Sequence, residues 1–154
     1  MSSSLKKAVL TAVAGLALSA GAAWAGPDYL AEHAVRPGVV VMPGLQYEVL
    51  ASGPTEGAHP RLSDQITVHY EGRLVSGEVF DSSFEKEPVT FPLRGLIPGW
   101  VTALRMMRPG DEWELTLPPE LAYGARGVGP IPPDAVLIFR IRLLEVTPPA
   151  EAPK

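Results

Sequence analysis

The stretch GWVTALRMM, residues 99–107, is the one segment of the central chain whose apolar residues follow a helical spacing. Trp100, Leu104 and Met107 recur at i, i+4 and i+7, which places them on one face of an α-helix. A proline directly before this stretch is tolerated at a helix start, and the Pro-Gly pair that follows it cannot continue a helix. We therefore predict one short helix over residues 99–107.

The segments on both sides of this helix alternate between apolar and polar residues, as half-buried antiparallel strands do. In residues 66–70 and 112–117 the apolar positions are two apart. Further candidate strands are residues 47–50, 89–93 and 137–144. Several strands with one helix predict the α+β class, an antiparallel sheet whose apolar face is covered by the helix. Trp100 is then placed to form the floor of a cavity between the layers, although a tryptophan at helical spacing is also a common core residue.

Residues 1–25 have the pattern of a secretory signal peptide. Two lysines precede an uncharged apolar run at 8–20, and Ala-Trp-Ala at 23–25 supplies the small residues of a cleavage site. The alternative, an uncleaved membrane helix, is disfavoured because the run is shorter than the roughly 20 residues that cross a bilayer core. We predict cleavage after Ala25 and export, without stable membrane insertion, to the periplasm or the medium.

The rest of the 154-residue chain is long enough for one domain. Residues 26–43 mix charged residues, proline and glycine with a run of three valines, and we expect an N-terminal extension that offers an edge strand. Residues 44–147 carry the strand and helix patterns of the predicted domain. Residues 148–154 are rich in proline, which predicts a disordered tail.

The charge balance argues against nucleic acid as a partner. Loss of the two leader lysines leaves 11 of the 13 basic residues against 17 acidic ones, so the formal charge moves from −4 to −6. Such a surface repels phosphate backbones. The chain has no cysteine, which excludes disulfides, thiol catalysis and thiolate metal sites.

The sequence lacks the usual patterns of nucleophilic, metal and phosphate-binding sites. It has no Gly-x-Ser-x-Gly motif, and its glycine-rich segments lack the Lys-Ser/Thr of a phosphate loop. The candidate histidine bases are His33, His59 and His69, of which His69 alternates with core positions and is expected to point to solvent. The acidic residues are dispersed along strand faces rather than clustered for metal binding. We expect neither a metal nor a cofactor.

A small set of aromatic residues and one acid remains, in short motifs. The motifs are GLQY at 44–47, VHYEG at 68–72, GEVFDSS at 77–83, LIPGW at 96–100, LAYGARG at 121–127, and IPP at 131–133 leading to LIF at 137–139. In this order, over about 44–146, they resemble the single-domain FK506-binding protein (FKBP) family of peptidyl-prolyl cis/trans isomerases. The resemblance implies a strongly twisted antiparallel sheet of about five strands wrapped around one short helix.

The resemblance also implies a pocket for the substrate proline and the roles of its residues. Trp100 is the floor. The aromatic walls are Tyr70, Phe80 and Phe139. Leu96 and Ile97 lie at the rim, where the Ile97 backbone N–H binds a substrate carbonyl, while Tyr123 donates its hydroxyl to another carbonyl and Ile131 closes the flap over the site.

Two positions leave alternatives open. By the resemblance Asp81 lies beside the twisting amide, where it polarises the amide or bonds Tyr70, whereas the residues alone allow it to cap the turn at Ser82 and Ser83. Many family members carry a further pocket aromatic where this chain has Val89 after a proline. We expect Val89 to line a thinner wall, which alters the preferred residue before proline and weakens the binding of macrolides of the FK506 or rapamycin type.

The function implied is isomerisation of X-Pro bonds in exported folding proteins by a monomer, with proline-containing polypeptides as partners and Asp81 and Tyr123 as candidate catalytic residues. The barrier to rotation is about 18–20 kcal/mol because a twisting amide loses its resonance. A desolvated aromatic pocket favours the less polar twisted state. The alternative is a non-catalytic chaperone or binding module for proline-containing segments.

Overall fold

Seven antiparallel strands form one sheet in the computed structural model, which describes residues 26–150. The strands are β1 (Val39–Met42), β2 (Leu45–Ala51), β3 (Gln65–Leu74), β4 (Val79–Ser82), β5 (Val89–Pro92), β6 (Glu112–Leu117) and β7 (Leu137–Thr147). The helices are α1 (Gly26–Ala34) and α2 (Pro98–Leu104), with 3-10 turns at Leu93–Gly95 and Pro119–Leu121. The predicted signal peptide, residues 1–25, and the end of the predicted tail, residues 151–154, lie outside the described residues.

The strands lie in the order β1-β2-β6-β7-β3-β4, and β5 pairs with the same edge of β3 as β4 does. This arrangement confirms the predicted α+β class, and all five candidate strands are present. The two further strands are β1 and β4. Strand β1 is the edge strand offered by the extension, and β4 is separate from β5 because the chain leaves the sheet between Ser82 and Val89.

Helix α2 covers one face of the sheet, which we call the helix face. It begins one residue before the predicted stretch and ends at Leu104, because residues 105–107 continue in tighter turns with i to i+3 hydrogen bonds. Trp100, Leu104 and Met107 are all buried, as their spacing predicts. The fully buried strand residues beneath them are Ile66, Val68, Leu115, Leu117, Leu137, Ile141 and Leu143.

Helix α1 lies against the other face of the sheet, which we call the second face, and was not predicted. His33 is 3% exposed, and its Nδ1 lies 2.7 Å from Oε1 of Gln46. The Gln46 amide nitrogen donates to the Leu30 carbonyl at 2.8 Å. Since Gln46 alternates along β2 with Leu45, which is in the core, α1 lies on the side opposite α2.

Within residues 26–150, neither helix combines the length and hydropathy that a bilayer-crossing segment requires.

The contact between α2 and the sheet at Gly99 predicts the effect of a single methyl group. A Cβ at Gly99 would lie 2.5 Å from Cδ2 of Leu117, a fully buried side chain. We expect Gly99→Ala to lower the free energy of unfolding in urea by about 1–3 kcal/mol, because the helix or Leu117 must shift. Gly95→Ala is the matched control, since its Cβ would meet only Cγ of Pro92 at 3.6 Å. Equal losses in both variants would contradict the prediction.

Candidate active site

A cavity of about 370 Å³ lies between α2 and the helix face of the sheet. This volume falls in the range of roughly 300–1,000 Å³ that is typical of small-ligand sites. Its lining residues are Tyr70, Phe80, Asp81, Phe91, Gly95, Leu96, Ile97, Trp100, Tyr123 and Phe139. The structure therefore brings together eight of the ten predicted site residues, and leaves out Val89 and Ile131.

Trp100 is the centre of the aromatic lining. Its ring meets those of Tyr70, Phe139 and Phe91 edge to face, with centroids 5.4, 5.3 and 6.2 Å away. Edge-to-face pairs at these distances are favourable beyond the area that they bury. Trp100 is only 4% exposed and also lines the cavity, so it is at once a core residue and the floor of the site.

A β-bulge on β4 aims two adjacent residues at the cavity. The register passes from Gly72 opposite Asp81 to Arg73 opposite Val79, so Phe80 is the extra residue. Bulges re-aim side chains in this way beside functional sites. The ring of Phe80 contacts Phe139 edge to face at 5.7 Å.

Gly72 leaves the space in which these two rings meet. A Cβ on Gly72 would lie 2.5 Å from Cζ of Phe80 and 2.7 Å from Cε1 of Phe139. Any larger residue would push the rings apart. The glycine of the VHYEG motif thus shapes the cavity wall without entering it.

Asp81 has a defined partner in the cavity. Its Oδ2 accepts a hydrogen bond from the Tyr70 hydroxyl at 2.6 Å. The Ser83 N–H, which a capping aspartate would use, donates to the Tyr70 carbonyl instead. Of the roles that the sequence leaves open, this geometry favours the bond to Tyr70. Burial, followed by the hydrogen bond to Asp81, raises the pKa of Tyr70 from 10.0 to about 12.

Besides the buried indole N–H of Trp100, two hydrogen-bond donors at the cavity have no partner among residues 26–150. Among the hydrogen bonds between residues 26–150, none uses the backbone N–H of Ile97 or the hydroxyl of Tyr123. Ile97 precedes the first turn of α2, where backbone N–H groups have no partner within the helix. Tyr123 is 37% exposed. Both donors are thus available to the carbonyl groups of a bound peptide.

Phe91, rather than Val89, supplies the wall on the β5 side. Val89 lies opposite Val68 in the sheet, and its short side chain does not reach the cavity. The Phe91 ring lies two residues further on, 6.1 Å from Tyr70. Because residues two apart in a strand share a face, the position of Phe91 in the candidate strand was the signal that could have identified it. The expectation of a thinner wall is therefore corrected.

Ile131 is buried at 7% exposure in the loop between β6 and β7, and packs in the core instead of lining the cavity. Two backbone hydrogen bonds join it to Val128, with N–O distances of 3.0 and 2.9 Å. This tight turn draws Ile131 inwards. In the part of the chain that the structure describes, no group of three or more histidine, aspartate or glutamate residues is placed to hold a metal ion.

The profile of FKBP-type peptidyl-prolyl cis-trans isomerases matches residues 56–144, which is more than half of the chain. The chain belongs to this family. It is 50% identical over 124 residues to the FKBP-type 22 kDa peptidyl-prolyl cis-trans isomerase of Escherichia coli K12, covering 79% of this chain and 59% of that protein. It is 46% identical over 124 residues to the outer membrane protein MIP of Legionella longbeachae, covering 79% and 52%.

The fold is also that of a solved family member. The crystal structure of FkpA from Escherichia coli superposes with a TM-score of 0.77 at 37% identity, covering 94% of this chain and 70% of that one. The chain spans between about half and three fifths of the length of the curated relatives that it matches.

The raised pKa of Tyr70 predicts a specific loss of stability at alkaline pH. Between pH 10 and 12 the unfolded chain releases the phenol proton while the folded protein retains it, so the free energy of unfolding falls as the pH rises through this window. We expect Tyr70→Phe to remove this part of the pH dependence in urea unfolding. If the free energy of unfolding of Tyr70→Phe fell with pH between 10 and 12 as steeply as that of the parent protein, the raised pKa would not belong to Tyr70.

Proposed function

We propose that the chain is a peptidyl-prolyl cis/trans isomerase that accelerates rotation about X-Pro bonds in exported polypeptides. The observation that carries the proposal is the cavity above Trp100, which is bordered by Asp81 and Tyr123 and walled by aromatic rings. Rotation about an amide breaks no covalent bond, so the site needs no nucleophile. It needs a dry surface that accepts a proline and groups that hold the flanking peptide.

The dry surface acts on the polarity of the amide. A planar amide owes its barrier of about 18–20 kcal/mol to resonance, which also separates charge between oxygen and nitrogen. On twisting, this separation falls. Because the aromatic cavity excludes water, it penalises the planar form more than the twisted one and so lowers the barrier.

The free donors hold the peptide in a conformation that assists the twist. With the prolyl ring on Trp100, the Ile97 N–H and the Tyr123 hydroxyl are placed to donate hydrogen bonds to two carbonyl groups of a turn. Asp81 borders the same space, and its hydrogen bond to Tyr70 fixes the direction of the carboxylate. The phenol of Tyr70 keeps its proton at neutral pH and can donate to Asp81, since burial and this hydrogen bond raise its pKa further above the ordinary value of 10.0.

The partners follow from the same cavity. We propose that the protein acts as a monomer on proline-containing polypeptides, and that macrolides of the FK506 or rapamycin type compete for the site. The ring of Phe91 supports this competition, because it supplies an aromatic wall that was expected to be absent.

A proline-peptide isomerisation assay on residues 26–154 tests the proposal. We expect Tyr123→Phe and Asp81→Val to lower kcat/KM by about tenfold each, with unchanged folding, because each loses an interaction at the twisting amide. Tyr29→Phe is the matched control, since Tyr29 stacks on His33 in α1. Trp100→Ala is expected to lose both activity and stability. A parent protein that suppresses aggregation but shows no rate above background would overturn the isomerase in favour of a chaperone.

Export predicts the N-terminus of the mature protein. We expect N-terminal sequencing of the protein from the periplasm or medium to begin at Gly26, because small residues precede that position. The Legionella relative is named an outer membrane protein, which supports an extracytoplasmic setting. A mature chain that begins at Met1 would refute export by cleavage.

A further inference from the structure

One edge of strand β3 pairs with β5 over its first half and with β4 near its end. Ser83 provides the hydrogen bonds to β3 between these two paired segments. Strand β5 pairs with residues 65–68 of β3, and β4 pairs with residues 71–73. Between these segments, the Ser83 N–H donates to the Tyr70 carbonyl at 2.8 Å, and the Tyr70 N–H donates to the Ser83 hydroxyl at 2.9 Å. A side-chain oxygen thus replaces the carbonyl that a strand would supply. We call this pair of hydrogen bonds the Ser83 clamp.

Ser83 is itself held from the second face of the sheet. It is 2% exposed, and Nδ1 of His69 lies 3.0 Å from its carbonyl oxygen. A carbonyl can only accept, so His69 Nδ1 carries the hydrogen and donates it. The expectation that His69 points to solvent is therefore wrong, because its half-buried ring binds the loop after β4.

The residue after the clamp is braced by aromatic and charged groups. The ring of Phe84 stacks on His69 at 5.5 Å, and the guanidinium groups of Arg140 and Arg142 lie 5.0 and 5.4 Å from its centre. Glu112 accepts hydrogen bonds from both arginines. Burial alone would raise the pKa of Glu112, but the hydrogen bonds from Arg142 and Arg140 outweigh it and hold the pKa below its ordinary value. Glu112 is therefore charged at neutral pH and holds both arginines against Phe84. We call this contact of Phe84 with Arg140, Arg142 and His69 the brace.

We propose that Ser83 is a positioning residue that fixes Tyr70 and Asp81 relative to each other at the wall of the cavity. Tyr70 is attached to the clamp by two hydrogen bonds, and Asp81 is attached through the chain because it lies only two residues before Ser83. The hydrogen bond from the Tyr70 hydroxyl to Oδ2 of Asp81, at 2.6 Å, then links the two side chains directly. The consequence for catalysis rests on the proposed function, whereas the clamp itself does not.

Two measurements on Ser83→Ala test the proposal. The change removes the acceptor of the Tyr70 N–H and leaves the shape of the loop nearly intact. We expect kcat/KM to fall about tenfold, as small displacements at reacting groups do. We also expect the pKa of Tyr70, followed by tyrosinate absorbance against a Tyr70→Phe reference, to fall from about 12 towards its ordinary value of 10.0. Ser83→Thr keeps the hydroxyl and should restore both values.

Ser82→Ala is the matched control. It deletes the same atom one residue earlier, where the hydroxyl accepts from the Phe84 N–H at 3.3 Å and has no bond to Tyr70. Wild-type values of kcat/KM and of the Tyr70 pKa are expected. A loss in Ser82→Ala as large as that in Ser83→Ala would overturn the proposal, because the effect would then belong to the loop as a whole.

The remaining outcomes separate the clamp from the activity. An unchanged Tyr70 pKa in Ser83→Ala overturns the positioning role, whatever the rate. A wild-type protein without isomerase activity refutes the proposed function, and the titration, which needs no substrate, still decides the clamp. If Ser83→Ala does not fold, Phe84→Ala removes the brace while keeping the hydroxyl. Smaller decreases in kcat/KM and in the pKa of Tyr70 are then expected. Unchanged values of both would overturn the proposal.

Discussion

The close approach of helix α2 to the sheet at Gly99 sets the geometry of the cavity. Because Gly99 has no side chain, the first turn of α2 lies directly on Leu117, and Trp100 is carried into the core with its ring against three other aromatic rings. The same helix start leaves the Ile97 N–H without a partner within residues 26–150, since the helix supplies none before its first turn. The floor and one donor of the site thus both depend on where helix α2 begins on the sheet.

The opposite wall depends on the edge of β3, where regular pairing stops. The bulge at Phe80 turns two consecutive side chains towards the cavity, and Gly72 gives the Phe80 and Phe139 rings room to meet over β3. A regular strand would have sent Asp81 to the face opposite Phe80. The irregularity therefore puts an acid and an aromatic ring on the same side, and the Ser83 clamp satisfies the backbone groups of Tyr70 that the interrupted ladder leaves open.

Most of the helix face could be predicted from the sequence, because its signals are local. Alternation placed β6 at residues 112–117, and helical spacing placed Trp100 over the sheet. Helix α1 could not be predicted, since it is only nine residues long and is held by a hydrogen bond from His33 to Gln46, thirteen residues away. The wall at Phe91 was also missed, because Val89 and Phe91 lie on the same face of β5 and only the longer side chain of Phe91 reaches the cavity.

The two faces of the sheet divide apolar and charged residues in a way that suits a desolvated site. On the helix face, the polar side chains of the cavity are few, and Tyr70 and Asp81 satisfy each other. On the second face, Glu112 binds Arg140 and Arg142, so charge lies close to the sheet without entering the cavity. A second charge at the cavity, without a partner such as Tyr70 provides for Asp81, would retain water and stabilise the planar amide, whereas the arginines on the second face brace the loop through Phe84.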